Sequence, residues 1–265
     1  MINNDNTNPI GFFDSGVGGL SVLARFRKVL PSENVIYFGD TVHLPYGNKS
    51  KEELIGYAKN IIKFFKEKDV KAVVIACNTS SAQAYDTIKQ IYSFPIYPII
   101  QSCSGVIATS NVQRVGVFAT ESTVKSGKYT EELTKHNSNI RVKEMASKNW
   151  VGIVEGVGEN IEDARKNIKY EIEEMLEFKP EKIVLGCTHY PYLMNEFVKY
   201  APKELFIDPA EIFVDFIKQD LSRKSLLNNK SFIGKEEFFV TSSPEDFVNN
   251  AKIFYDVKNL PNIYE

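Results

Sequence analysis

Residues 72–81 read Ala72-Val73-Val74-Ile75-Ala76-Cys77-Asn78-Thr79-Ser80-Ser81. An apolar run of this length, β-branched at Val73, Val74 and Ile75, suits a strand buried on both faces of a parallel sheet. The Asn-Thr-Ser-Ser that follows is a series of helix N-cap residues, so a thiol stands where a strand ends and a helix begins. The same construction returns at Ile183-Val184-Leu185-Gly186-Cys187, followed by Thr188-His189-Tyr190-Pro191, with Cys187 110 residues after Cys77. Pro191 suits the first turn of a helix.

Two further pairs extend the repeat. Ile10-Gly11-Phe12-Phe13 resembles Val115-Gly116-Val117-Phe118, and Val35-Ile36-Tyr37 falls opposite Ile140-Arg141-Val142, both at a spacing of 105 residues. Near-equal spacings are the mark of a duplicated unit. Strands are expected at Ile10–Phe13, Val35–Phe38, Ala72–Ala76, Ile96–Ile100, Val115–Ala119, Ile140–Glu144, Lys182–Gly186 and Leu205–Ile207. Longer amphipathic stretches fill the gaps. Leu54, Ala58, Ile61, Ile62 and Phe65 recur at helical spacing behind a Ser50-x-x-Glu53 capping box. A second helix should run from Cys77 to about Tyr92, stopped by Pro95, and a third from Ile161 to Phe178, stopped by Pro180. The expected fold is α/β: two similar doubly wound lobes with mostly parallel sheets, related by pseudo-twofold symmetry, with the active site at the lobe interface. Residues 1–98 with 208–265 would form the first lobe and 99–207 the second, so that the chain after Asp208 packs back onto the first lobe.

Composition narrows the function. The 32 Lys and Arg against 34 Asp and Glu leave a formal net charge of −2, which offers no footprint for nucleic acid or an anionic membrane. Met1–Pro9 is polar and Asn-rich, unlike a secretory signal. No apolar run approaches the roughly 20 residues that span a bilayer. Three cysteines, an odd number without an export signal, point to a reducing cytoplasm rather than a disulfide framework.

A single strand-end Cys is more often an apolar filler than a reactive group. Equivalent placement in two copies reverses that weighting, because strand carboxyl ends are where α/β sheets bind ligands. A helix N-terminus would also favour thiolate. Cys187-x-His189 lacks the spaced second pair of a closed zinc site, so no metal is expected. Two thiols facing one another across an interface suit removal of a proton from one face of a carbon and its return to the other. Cys103 has no counterpart and reads as incidental.

The first strand leads into Asp14-Ser15-Gly16-Val17-Gly18-Gly19-Leu20-Ser21. A dinucleotide fingerprint would need Gly where Ser21 stands, and a Walker A lysine is missing. The backbone N–H groups of this loop favour a carboxylate ligand.

With Phe13–Val22, Tyr37-Phe38-Gly39-Asp40-Thr41, Pro45-Tyr46-Gly47, Ala76-Cys77-Asn78-Thr79 and Leu185–Pro191, the chain resembles the aspartate/glutamate racemase family over nearly its whole length. The resemblance implies cofactor-independent interconversion of L- and D-glutamate, supplying D-glutamate for peptidoglycan, in a cytoplasmic enzyme that is commonly a homodimer. Carried over by position, Cys77 would act on the D enantiomer and Cys187 on the L enantiomer. Asp14 would assist the first thiol, and His189 with Glu155 the second. An imidazole can hold a thiolate as an ion pair, whereas a nearby carboxylate raises a thiol's pKa. Ser15, Tyr46, Gly47, Asn78, Thr79, Thr188 and His189, together with Asp14, match the family's substrate contacts. Departures stand at Ala146–Gly152, where the family often has Cys-Pro, at Cys103 in place of a Gly, and at Pro209 after Asp208. Racemisation of another acid such as aspartate, and non-catalytic binding of a small acid, are the alternatives. The second would not need both thiols.

Overall fold

The computed structural model describes residues 6–147, 149–156, 161–228 and 230–264. Met1–Asp5 of the polar leader and Lys148 of the central departure lie outside them.

Among the described residues, ten strands form two sheets. In chain order they are β1 (Ile10–Asp14), β2 (Val35–Gly39), β3 (Ala72–Ile75), β4 (Ile96–Pro98), β5 (Arg114–Ala119), β6 (Arg141–Ala146), β7 (Lys182–Gly186), β8 (Phe206–Ile207), β9 (Glu236–Val240) and β10 (Asn262–Ile263). The first sheet runs β10-β9-β2-β1-β3-β4 and the second β6-β5-β7-β8. Every pairing is parallel. Stripped of β9 and β10, the two sheets have the same strand order, and the repeat seen in sequence is a repeat of topology.

Register refines that repeat. Ile10 pairs with Val35 and with Ala72, while Val115 pairs with Val142 and with Lys182. The spacings of 105 and 110 hold for the first and third strands, but Val142, rather than Ile140, is the counterpart of Val35. A shift of two residues keeps each side chain on its own face, so alternation alone could not detect it. The glycines echo the symmetry. A Cβ on Gly11 would lie 2.7 Å from Phe65 Cδ1, and one on Gly116 would lie 2.5 Å from Met175 Sδ. Each first strand has a glycine because a bulky side chain from the helix preceding the third strand lies against it.

Both faces of each sheet are buried. Phe12 and Val74 of the first sheet and Val115, Val117 and Val184 of the second join one continuous core, together with the helices Leu20–Val29, Ile99–Ala108 and Pro209–Arg223. The far face of the first sheet packs on the Lys51–Glu67 helix, whose capping box forms as the Ser50-x-x-Glu53 pattern requires. The far face of the second packs on Ile161–Glu177 and the short Trp150–Glu155 helix. No helix among the described residues is long and apolar enough to cross a membrane.

Three expectations need correction. The helix after Cys77 breaks at Ala84 into Asn78–Gln83 and Tyr85–Ile88, ending before Tyr92. Ser81 in its middle ties this segment to the next helix, its Oγ donating to Gln101 Oε1 and accepting from the Ile100 N–H. The strand expected over Ile96–Ile100 ends at Pro98, where the Ile99–Ala108 helix begins. Strands β9 and β10 were not anticipated, and β9 pairs along the whole of β2.

Two of the sequence departures meet inside the fold. Cys103, fully buried in the Ile99–Ala108 helix, donates its thiol to the carbonyl of Pro209 at 3.4 Å. Pro209 occupies the first turn of the next helix, capped by the Asp208 carboxylate accepting from the Ala210 N–H at 3.0 Å.

Candidate active site

Cys77 and Cys187 follow the equivalent strands β3 and β7, and both sulfurs are nearly enclosed, the residues being 5% and 8% exposed. Cys77 is the N-cap of Asn78–Gln83, its Sγ accepting from the Ser80 N–H at 3.4 Å. Burial, and then the charge of Asp14, push its thiol up to about 12, and Cys187 is among the charges that raise it. The expectation that a helix N-terminus would make Cys77 a thiolate is therefore overturned. The helix has six residues, and desolvation together with a neighbouring carboxylate outweighs so short a dipole.

Asp14, at the end of β1, accepts from the Gly19 N–H at 2.7 Å and is hydrogen-bonded to Cys77. Its pKa is raised by burial, an effect opposed by the charge of His189. On the other lobe, Cys187 Sγ lies 3.7 Å from His189 Nδ1, and His189 Nε2 lies 2.9 Å from Glu155 Oε1. Burial lowers the imidazole's pKa, but Cys187 and Glu155 prevail and draw it up to about 10, so His189 is a cation at neutral pH. Phe254 covers it edge-on, with ring centroids 5.4 Å apart.

The glycine loop after β1 is the piece that joins the two halves. A Cβ on Gly18 would fall 2.3 Å from Thr188 Oγ1 and 2.4 Å from His189 Cε1. Only a glycine lets the first lobe's loop lie against the second lobe's Cys187 turn. Ser21 Oγ donates to the Thr188 carbonyl at 3.2 Å beside it.

Of the expected site residues, Asp14, Ser15, Asn78, Thr79, Thr188 and His189 are buried polar side chains at this interface. Tyr46, 3% exposed, packs with Leu54 and Cys77, its hydroxyl donating to Asp40 Oδ2 at 2.5 Å. Gly47 faces Thr120 across the interface, its Cβ direction 3.4 Å from Thr120 Cβ. Asn78 Oδ1 accepts from the Tyr129 hydroxyl at 2.7 Å, while its Nδ2 is buried and finds no acceptor in the protein.

Sequence reasoning missed three residues here. Thr79 Oγ1 lies 2.9 Å from Thr120 Oγ1 and 3.3 Å from Thr123 Oγ1, so Thr120-x-x-Thr123 of the second lobe adds two hydroxyls to the Cys77 side. Their signal was a Thr N-cap directly after β5, the position in the second lobe that Ser15 approaches in the first. Tyr190 was the third. Its ring packs on Trp150 and its hydroxyl meets Ser147 Oγ, tying the segment that departs from the family pattern to the Cys187 turn. Among the described residues, no group of His, Cys, Asp or Glu is gathered that would hold a metal ion.

Known proteins similar to this chain are numerous. Glutamate racemase 2 of Caldanaerobacter subterraneus subsp. tengcongensis is 42% identical over 253 residues, which cover 94% of this chain and 93% of that one. The glutamate racemase of Francisella tularensis subsp. tularensis SCHU S4, solved in complex with D-glutamate, matches at a TM-score of 0.90 and 31% identity, with 98% of each chain covered. Glutamate racemase isoform RacE1 from Bacillus anthracis matches at a TM-score of 0.91 and 27% identity over the same shares. With residues 20–217 also matching the family description, the chain belongs to the Asp/Glu/hydantoin racemase family.

Proposed function

We propose that this protein racemises glutamate with Cys77 and Cys187 as the two acid–base groups. The observation that carries the reading is the equivalent placement of the two thiols after β3 and β7, at one enclosed interface between sheets of the same strand order. Inversion of an α-carbon by two groups needs a deprotonated one on the face that loses the proton and a protonated one on the face that gains it.

The resting site is unequal, and the inequality gives a sequence of events. Cys77 is held protonated. The His189 cation stands beside the Cys187 sulfur, 3.7 Å away, where it would offset the charge that a base at that position must carry. On this reading Cys187 takes the α-proton of L-glutamate and Cys77 delivers a proton to the opposite face. For the reverse direction the Cys77 proton must leave first, and Asp14, hydrogen-bonded to that thiol with its own pKa raised, is the group placed to accept it. Glu155 acts through His189, holding the ring toward Cys187 and keeping it charged. Ser15, Tyr46, Gly47, Asn78, Thr79 and Thr188 would receive the two substrate carboxylates, and the unused Nδ2 of Asn78 is a donor that such a ligand satisfies.

On this reading the lobes are residues 1–98 with 208–265 and residues 99–207. The enzyme works in the cytoplasm as a homodimer, and its D-glutamate feeds peptidoglycan synthesis. The test is circular dichroism of L-glutamate incubated with purified protein and no added cofactor, with L-aspartate as the comparison. Loss of signal from glutamate alone, reduced at least about a hundredfold in Cys77→Ala and in Cys187→Ala, is the expected result. An unchanged glutamate signal, or equal turnover of aspartate, would refute it.

A further inference from the structure

A cavity of about 410 Å³ lies outside the thiol cleft, between the Lys51–Glu67 helix and the carboxyl ends of β2 and β9. Strand carboxyl ends are the usual binding edge of an open α/β sheet, and a cavity of this size accommodates one small molecule. Neither thiol lines it.

The lining is graded from apolar depth to polar rim. Phe38 and Ile61 are 1% and 2% exposed and form the interior, with the half-buried rings of Tyr57 and Tyr264 beside them. The rim is Asn60 and Lys63, both exposed on one face of the helix. Among the described residues, Lys63 is paired with Glu67 at 3.9 Å. The acid in the lining, Asp40, is already occupied. It accepts from His43 Nδ1 at 2.8 Å, the Tyr46 hydroxyl at 2.5 Å and Thr241 Oγ1 at 3.0 Å. An aromatic body with a carboxylate on a short arm satisfies this gradient, its ring against Tyr57 and Tyr264 and its charge at Lys63 and Asn60.

The cavity wall is also the back of the thiol cleft. Tyr57 stacks on His43 with ring centroids 3.9 Å apart, His43 is bound to Asp40, and Asp40 holds Tyr46 against Cys77. From this the geometry points to a second ligand site, for an arylalkyl carboxylate, whose occupancy reaches Cys77 through Tyr57, His43, Asp40 and Tyr46.

3-Phenylpropionate serves as the probe and its uncharged amide as the control, with binding to the full chain followed by titration calorimetry and turnover measured at saturating glutamate. The acid should bind about tenfold tighter than the amide, the effect of one hydrogen bond to a charged group. Lys63→Gln, a surface change remote from both thiols, should abolish that difference. Saturating glutamate should leave probe binding intact, while the probe changes kcat in the parent protein and leaves it unchanged in Lys63→Gln at the same concentration. Equal binding of acid and amide, or an unaltered preference in Lys63→Gln, would overturn the site. Displacement by glutamate would place the probe in the thiol cleft and overturn it equally. Binding without any change in kcat would overturn the route to Cys77.

Discussion

Gly18 and Thr188 belong to different lobes, yet a Cβ on the first would lie 2.3 Å from the hydroxyl oxygen of the second. The contact is between a loop that leaves β1 and a turn that leaves β7, so it fixes how the two sheets' carboxyl ends face one another. Cys187 and Glu155 hold the His189 ring on either side, so any movement that relieves the contact disturbs those two partners.

Gly18→Ala should therefore act on catalysis more than on folding. Overpacking of this kind costs about 1–3 kcal/mol, which thermal denaturation would register as a modest drop in Tm. The added methyl displaces Thr188 and His189 from Cys187, so kcat should fall while the fold persists. Parent-like kcat with the same Tm would show that the loop and the turn are not in contact.

The His189–Glu155 pair makes a prediction in pH. The imidazole's pKa rises from 6.5 to about 10 on folding. A raised pKa contributes stability that is fully present below the unfolded value and is lost as pH climbs through the folded one. Between pH 6.5 and about 10, the protein should lose stability progressively, and Glu155→Gln should flatten that slope. Removal of one charge-assisted hydrogen bond should cost about 1.5–3 kcal/mol of stability at neutral pH. Denaturant titrations across this range, with parent and Glu155→Gln in parallel, check the sign. A parent protein that gains stability with rising pH over the window would contradict it.

Thiol reactivity should rank the three cysteines. Equal activation of Cys77 and Cys187 is what two strand-end thiols suggest, but Cys77 is protonated at neutral pH, and Cys103 is fully buried with its pKa raised by that burial. Brief alkylation at neutral pH should label Cys187 first, Cys77 slowly and Cys103 last. Peptide mapping by mass spectrometry reads the order, and labelling of Cys77 ahead of Cys187 would contradict the assignment of the cation at His189.

Much of this was legible in the chain because local patterns carried it. The Ile75-Ala76-Cys77-Asn78 and Leu185-Gly186-Cys187-Thr188 junctions revealed both strand ends, and Ser50-x-x-Glu53 marked a helix start that forms as read. What escaped depended on partners distant in sequence. Strand β9, Glu236–Val240, has no counterpart in the repeat, so its pairing with β2 and the Thr241–Asp40 contact could not be inferred from symmetry. Thr120 and Thr123 read as an ordinary helix cap until the fold set them against Thr79. The protonation of Cys77 was hidden for the same reason, since a motif shows the helix N-terminus but not the burial and the Asp14 charge that override it.

The two-thiol account stands or falls on where the returning proton comes from. In deuterated water, Cys187 keeps the hydrogen it removes from L-glutamate, while the product's hydrogen arrives from Cys77, which has exchanged with solvent. Mass spectrometry of each enantiomer in the first few percent of the reaction reads this directly. The account predicts D-glutamate carrying deuterium at the α-carbon from the earliest time points, beside a remaining L pool that carries almost none. Early D-glutamate that retains its original hydrogen would mean that one group serves both faces, and would contradict it.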